Sequence, residues 1–183
     1  MSMLRRRFLK GLVATAASFA LPIQLAFAKN YLAIEQAQKI LWPDQNLTPT
    51  PITLSEAQAD LIEELADIRV RNHFINGWRS EDGGWFIVDQ VIGKHENIDL
   101  AVAISAEGKV MGIEVLTYRE TYGDQVRHPK WRAQFYGKDS SEFLKLDKQI
   151  RNISGATLSC RHVTDGINRL NHTWSTVLSK VAR

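Results

Sequence analysis

The chain has 183 residues, 44% of them hydrophobic and 23% charged, which suits one domain able to bury its own core and excludes disordered and collagen-like classes. The formal charge of +3 includes Arg5, Arg6, Arg7 and Lys10, which share the first 28 residues with no acid, so removing that segment leaves −1. A chain of that charge lacks the cationic excess of a nucleic-acid-binding surface, and the single Cys160 excludes both an internal disulfide and a Cys-x-x-Cys-His haem attachment.

Residues 1–28 have the form of a cleaved export signal: a basic start, an apolar run over Gly11–Leu21 and a small-x-small ending at Ala26, Phe27, Ala28. The run is shorter than the about 20 apolar residues a bilayer span needs, so no membrane span is expected in the mature chain. Within it, Arg5 to Lys10 carries the Arg-Arg-x-Phe-Leu-Lys order that resembles a twin-arginine signal, which makes the periplasm the expected location. Residues 29–183 are expected to form the folded domain, beginning with a helical segment.

Ile34, Ala37, Ile40 and Leu41 fall at helical spacing before Pro43 halts the helix, and residues 44–53 read as a polar linker. Ser55 and Gln58 form a capping box for a second helix with Leu61, Ile62, Leu65 and Ile68 on one face. Asn76, Gly77, Asp82, Gly83 and Gly84 predict a loop over 75–86 leading into a strand. From Trp85 the residues become β-branched and aromatic. Ile98, Leu100, Val102 and Ile104 alternate, Glu107 and Gly108 turn the chain, and Met111, Ile113 and Val115 alternate again, which predicts an antiparallel hairpin with one buried face.

Residues 119–140 lose periodicity and are long for a connection, a pattern common at functional sites. A final helix is predicted from Leu158, with Val163, Ile167, Leu170, Trp174 and Val177 on its buried stripe. His73, His95, His128, His162 and His172 are scattered, and Cys160 with His162 supplies too few ligands for zinc. Ser159 beside His162 is a helix-face pair without the oxyanion loop of a hydrolase.

Just before that helix stand Ser154, Gly155, Ala156 and Thr157. Gly155 permits close backbone approach, Ala156 adds little bulk, and the free amides of a helix start make a field suited to a phosphate. Taken alone, the same residues also read as an N-terminal cap in which Ser154 or Thr157 bonds those amides.

The run from Ser154 to Ser159 resembles the flavinylation signature of FMN-binding domains, the family that includes subunits of the Rnf complex and of the sodium-pumping NADH:quinone reductase. Two further stretches match in order: Glu120-Thr121-Tyr122-Gly123 resembles the family's Glu-Thr-x-Gly loop, and Phe135, Gly137 and Lys138 its Phe-x-Gly-Lys segment. The resemblance covers about residues 85–170. It implies an α+β fold, an antiparallel sheet covered by helices, and FMN donated from FAD by an FAD-dependent FMN transferase onto Thr157 as a phosphoester.

By the same resemblance, Ser154, Gly155, Ala156, Leu158 and Ser159 would surround the attachment, and Glu120, Thr121 and Gly123 would lie near the ring. Tyr118, Tyr122, Trp131 and Phe135 are candidates to stack on it, Trp131 and Phe135 being equally readable as a core stripe. One position departs from the pattern: Arg151 stands where the signature usually carries Asp. The expected function is electron transfer between redox partners, such as a membrane oxidoreductase or a cytochrome. The alternatives are a noncovalent FMN-dependent reductase and a flavin-free binding module of the same fold.

Overall fold

A computed structural model describes residues 29–181; the export signal read from residues 1–28 lies outside the described residues. The elements, in chain order, are β1 (Lys29–Asn30), α1 (Ile34–Leu41), β2 (Leu47–Pro49), β3 (Ile52–Thr53), α2 (Glu56–Ala66), β4 (Phe74–Ser80), β5 (Trp85–Ile92), β6 (Asn97–Ile104), β7 (Val110–Tyr118), α3 (Pro129–Arg132) and α4 (Thr157–Thr176). The strands form one antiparallel sheet in the order β1-β7-β6-β5-β4-β2, with β3 also on β4.

Helices cover both faces of this sheet, as the predicted fold class requires. One face carries Ile87, Val91, Ile98, Leu100, Val102 and Ile113 against Ala59 and Ile62 of α2 and Val163, Ile167 and Leu170 of α4. On the other, Phe86, Ala101, Ala103 and Leu116 meet Ala37 and Trp42. Burial on both sides explains why β6 is nearly continuously apolar rather than alternating.

The predicted hairpin is β6–β7, and two register shifts in it correct the alternation read for the return strand. Ala103 pairs with Gly112 and Ile104 with Val110, so Met111 is the extra residue of a bulge. Met111 is therefore exposed at 44%, and Val110 takes its place in the core. A second shift pairs Leu100 with Val115 but Asp99 with Thr117, which turns Tyr118 onto the α4 face.

Residues 75–80, expected as loop, are strand β4. Gly77 is a strand residue because the Trp85 ring occupies the space a side chain would need, 3.2 Å from an ideal Cβ. Trp78 packs edge-on against Phe86 at 5.5 Å. The linker over 44–53 contains β2 and β3, both paired to β4, with Pro49 and Pro51 tolerated at the sheet margin.

Ser55 and Gln58 exchange the two bonds of the capping box, but the buried face of α2 is Ala59, Ile62 and Ala66. Leu61 and Leu65 are exposed, because α4 packs along the stripe one residue away. Likewise Ala37 is the buried residue of α1 and Ile40 is exposed. Helix α4 starts at Thr157, one residue earlier than expected; Val163, Ile167, Leu170 and Val177 are buried and Trp174 half-buried.

The segment after Tyr118 is held rather than free. Two short 3-10 helices, Asp124–Arg127 and Ala133–Phe135, flank α3. Arg132, nearly buried, pairs with Glu114 of β7 and donates to the Ile113 carbonyl and, at 2.9 Å, to that of Arg127. Arg132→Met is expected to leave the half-buried Glu114 without its partner and to cost about 3 kcal/mol. Urea unfolding checks this; a loss under 1 kcal/mol would show that the pair is dispensable.

Candidate functional site

The fold brings the start of α4 and the end of β7 together. Tyr118 is the hinge of this meeting: its hydroxyl donates to the Tyr122 carbonyl at 2.5 Å and lies 2.8 Å from Ser159 Oγ. With its one proton given to Tyr122, the phenol oxygen accepts from Ser159. Burial pushes the Tyr118 phenol up, so it stays protonated and a donor. Gly123, at φ +98°, fits between the two: an ideal Cβ there would lie 2.5 Å from Tyr118 Oη and 2.6 Å from Ser159 Oγ.

The four-residue turn before α4 is open. Gly155 adopts φ +82° with no atom near where a side chain would project, and Ser154 is exposed. The N-cap is Ala156, buried, and it makes no side-chain cap bond. The reading of this turn as a side-chain cap is thereby corrected: alanine has no acceptor, and the Thr157 hydroxyl accepts from Asn152 Nδ2 at 3.0 Å. The first amides of a 20-residue helix thus have no intrahelical partner and carry the positive end of its dipole. Thr157 is partly exposed at this end, and Leu158 is 40% exposed beside it.

Glu120 turns away from the helix and pins the β5–β6 connection. Its Oε1 accepts from the backbone N–H of His95 at 2.5 Å and of Glu96 at 2.9 Å. Burial works against the charged carboxylate, but the N–H groups of Glu96, His95 and Lys94 outweigh it and hold the carboxyl below its usual range. A depressed value means the contribution is complete above the unfolded Glu value, about 4.3, and is lost as pH falls through the lower folded one. Protection of the His95 and Glu96 amides from hydrogen exchange is expected to fall only below about pH 4, and to be weak at every pH in Glu120→Ala, which has no acceptor there. Equal protection in both proteins would remove this role.

Thr121 is exposed. Among the candidate aromatics, Phe135 and Trp131 belong to the core, packed edge-on at 5.2 Å, and Tyr118 is buried. Tyr122, 80% exposed, is the one of the four with a free face. Trp131 reaches the turn differently, donating from Nε1 to the Arg151 carbonyl at 2.7 Å, while the Arg151 N–H donates to Gln134 Oε1 at 2.8 Å.

Sequence reading missed a groove of about 770 Å³ between α4 and β5. Phe74, Val91, Lys94, His162, Asp165 and Arg169 are among its walls, and Gly93, at one end, touches Glu120. No spacing signal announces it, since its walls come from β5, α4 and the connection before β4. Arg169 pairs with Asp89 across it at 2.5 Å. No group of three or more His, Cys, Asp or Glu able to hold a metal occurs among the described residues.

Residues 93–171 match the FMN-binding domain family. The chain carries an FMN-binding domain. The matched stretch spans β6, β7, the Glu120–Gly123 loop and α4 as far as Asn171, and so contains every site residue named above from residue 118 onward. A component of the Na(+)-translocating NADH-quinone reductase from Parabacteroides distasonis shares the fold, with a TM-score of 0.52 at 13% identity, over 74% of this chain and 80% of that one. No curated protein matches the sequence.

The FMN-binding domain presents residues that fit the cofactor. Its phosphate suits the uncapped amides at Thr157 and Leu158, with Gly155 leaving room for approach. Tyr122 keeps an exposed aromatic face on the loop that Tyr118 and Ser159 hold against the helix.

Proposed function

We propose that this protein is an exported electron carrier that holds FMN as a phosphoester on Thr157. The carrying observation is the start of α4: an open turn, an N-cap without an acceptor side chain, and a hydroxyl standing at the unpaired amides. A helix start left uncapped is a cost that a bound phosphate would offset.

When bound, FMN supplies acceptance of two electrons and their release one at a time. The chain's residues position it. Tyr118 and Ser159 lock the Glu120–Gly123 loop to the helix, Glu120 fixes the neighbouring 93–96 turn, and Tyr122 offers an aromatic face. Attachment through Thr157 would keep the cofactor from diffusing away outside the cytoplasm, the compartment that residues 1–28 suggest.

The attachment requires an FAD-dependent FMN transferase, and turnover requires a redox partner, proposed to be a membrane oxidoreductase or a cytochrome. The described residues contain no helix long and apolar enough to cross a membrane, so contact with a quinone pool would pass through such a partner. The test is the intact mass of the exported protein from cells containing the transferase, followed by electron transfer from the reduced protein to each partner class. One added FMN and transfer to either class are expected; no flavin at all would leave a binding module of the same fold.

The groove beside Glu120 favours a second reading, a noncovalent FMN-dependent reductase with its own small substrate. Turnover by the holoprotein without a protein partner would select it.

A further inference from the structure

Asn152 stands five residues before Thr157, and its side-chain amide makes a one-sided contact. Nδ2 donates to Thr157 Oγ1 at 3.0 Å, while Oδ1 is buried with no hydrogen-bond partner. A buried amide oxygen left unpaired costs stability, so the fold alone would be served better there by an apolar side chain. Turning the amide over would exchange donor for acceptor at the same contact and leave the nitrogen unpaired instead. The contact to the hydroxyl is what this side chain supplies.

The backbone around it is anchored. Arg151 both donates to Gln134 and accepts from Trp131, so residues 151–152 are fixed to the segment that packs on β7. Arg151 thus occupies the position of the signature acid, while the next residue reaches the nucleophile.

We propose that Asn152 is a positioning residue for flavin attachment, orienting the Thr157 hydroxyl for transfer; this rests on the covalent reading above. With one lone pair of Oγ1 engaged by Nδ2, the proton and the remaining lone pair are directed away from Asn152. In the transfer, a flavin dinucleotide is the co-reactant. Thr157 Oγ1 bonds to the phosphorus on the flavin side, the pyrophosphate P–O bond breaks and AMP leaves. The hydroxyl proton passes to the transferase or to solvent, and no electrons change hands. Asn152 holds the geometry in which Oγ1 meets that phosphorus.

The test uses the full chain purified without flavin, incubated with the transferase and FAD, with covalent flavin read by in-gel fluorescence over time. Asn152→Leu is expected to lower kcat about tenfold, the scale of one ordinary hydrogen bond, with KM for the acceptor protein unchanged. Asn152→Asp, which can donate to Oγ1 only while its carboxyl is protonated, is expected to keep the rate at low pH and to lose it as pH rises and the carboxyl ionises. Thermal unfolding checks that each variant is folded; if Asn152→Leu is not, Asn152→Ser replaces it. Equal rates in wild type and the apolar variant would overturn the inference alone. An unchanged kcat with a raised KM would assign Asn152 to transferase docking and overturn it too. Absence of any adduct on wild type would overturn the inference together with the covalent reading.

Discussion

Thr157→Ala is expected to lose the covalent flavin completely while keeping the fold. The reason is chemical: the phosphoester needs a hydroxyl, and Ala at the first position of α4 retains the helix and its unpaired amides. Thr157→Ser, which keeps the hydroxyl and the contact from Asn152, is expected to retain the adduct. The measurement is intact mass together with flavin fluorescence under denaturing conditions, which separates a covalent from a merely bound cofactor. If the alanine variant still carries one FMN under those conditions, another residue holds it. If it loses the adduct but binds added FMN, the amides and the Gly123 loop form a site independent of the bond.

The second large effect is expected from Gly123→Ala. Two costs coincide there: φ +98° is strained for any residue with a side chain, and the new methyl would press on both Tyr118 Oη and Ser159 Oγ. Separating those two hydroxyls also breaks the link between β7 and α4. A loss of about 2–4 kcal/mol in urea unfolding is expected from the strain and the clash together. FMN binding should weaken in parallel, because the loop and the helix start are no longer held in register. Gly155→Ala is the comparison: its φ is also positive, but the space around it is open, so only about 1 kcal/mol is expected. Similar losses at both positions would mean that backbone strain alone, and not the Tyr118–Ser159 junction, sets the cost.

These two glycines show how much of the site could be read without coordinates. The Ser154–Ser159 run was legible as a local string, because a tight turn and a helix start are dictated by neighbouring residues, and the Glu120–Gly123 loop through its resemblance to a family motif. That the strings meet was not legible, since the junction depends on Tyr118, whose facing is reversed by a bulge at Leu116. A period of two assigns facing only while the register is unbroken. The same limit misplaced Met111, and it hid β4, where Gly77 reads as a turn residue until Trp85 is seen filling the space beside it. Leu61 and Leu65 fit an apolar helix face on paper, and only the packing of α4 decided that Ile62 and Ala66 are the buried ones.

By itself the sequence determined what is local or compositional: the antiparallel hairpin, the capping box at Ser55, the helix of the C-terminal stripe, and the turn before Thr157. Tertiary structure decided what depends on residues far apart in the chain. It set Tyr118 against Ser159, gave Glu120 to the 93–96 turn rather than to the helix start, buried Trp131 and Phe135 while leaving Tyr122 exposed, and placed Asn152 on the Thr157 hydroxyl. Hydrogen bonds and burial are settled by which surfaces the sheet brings together, and no local pattern encodes that choice.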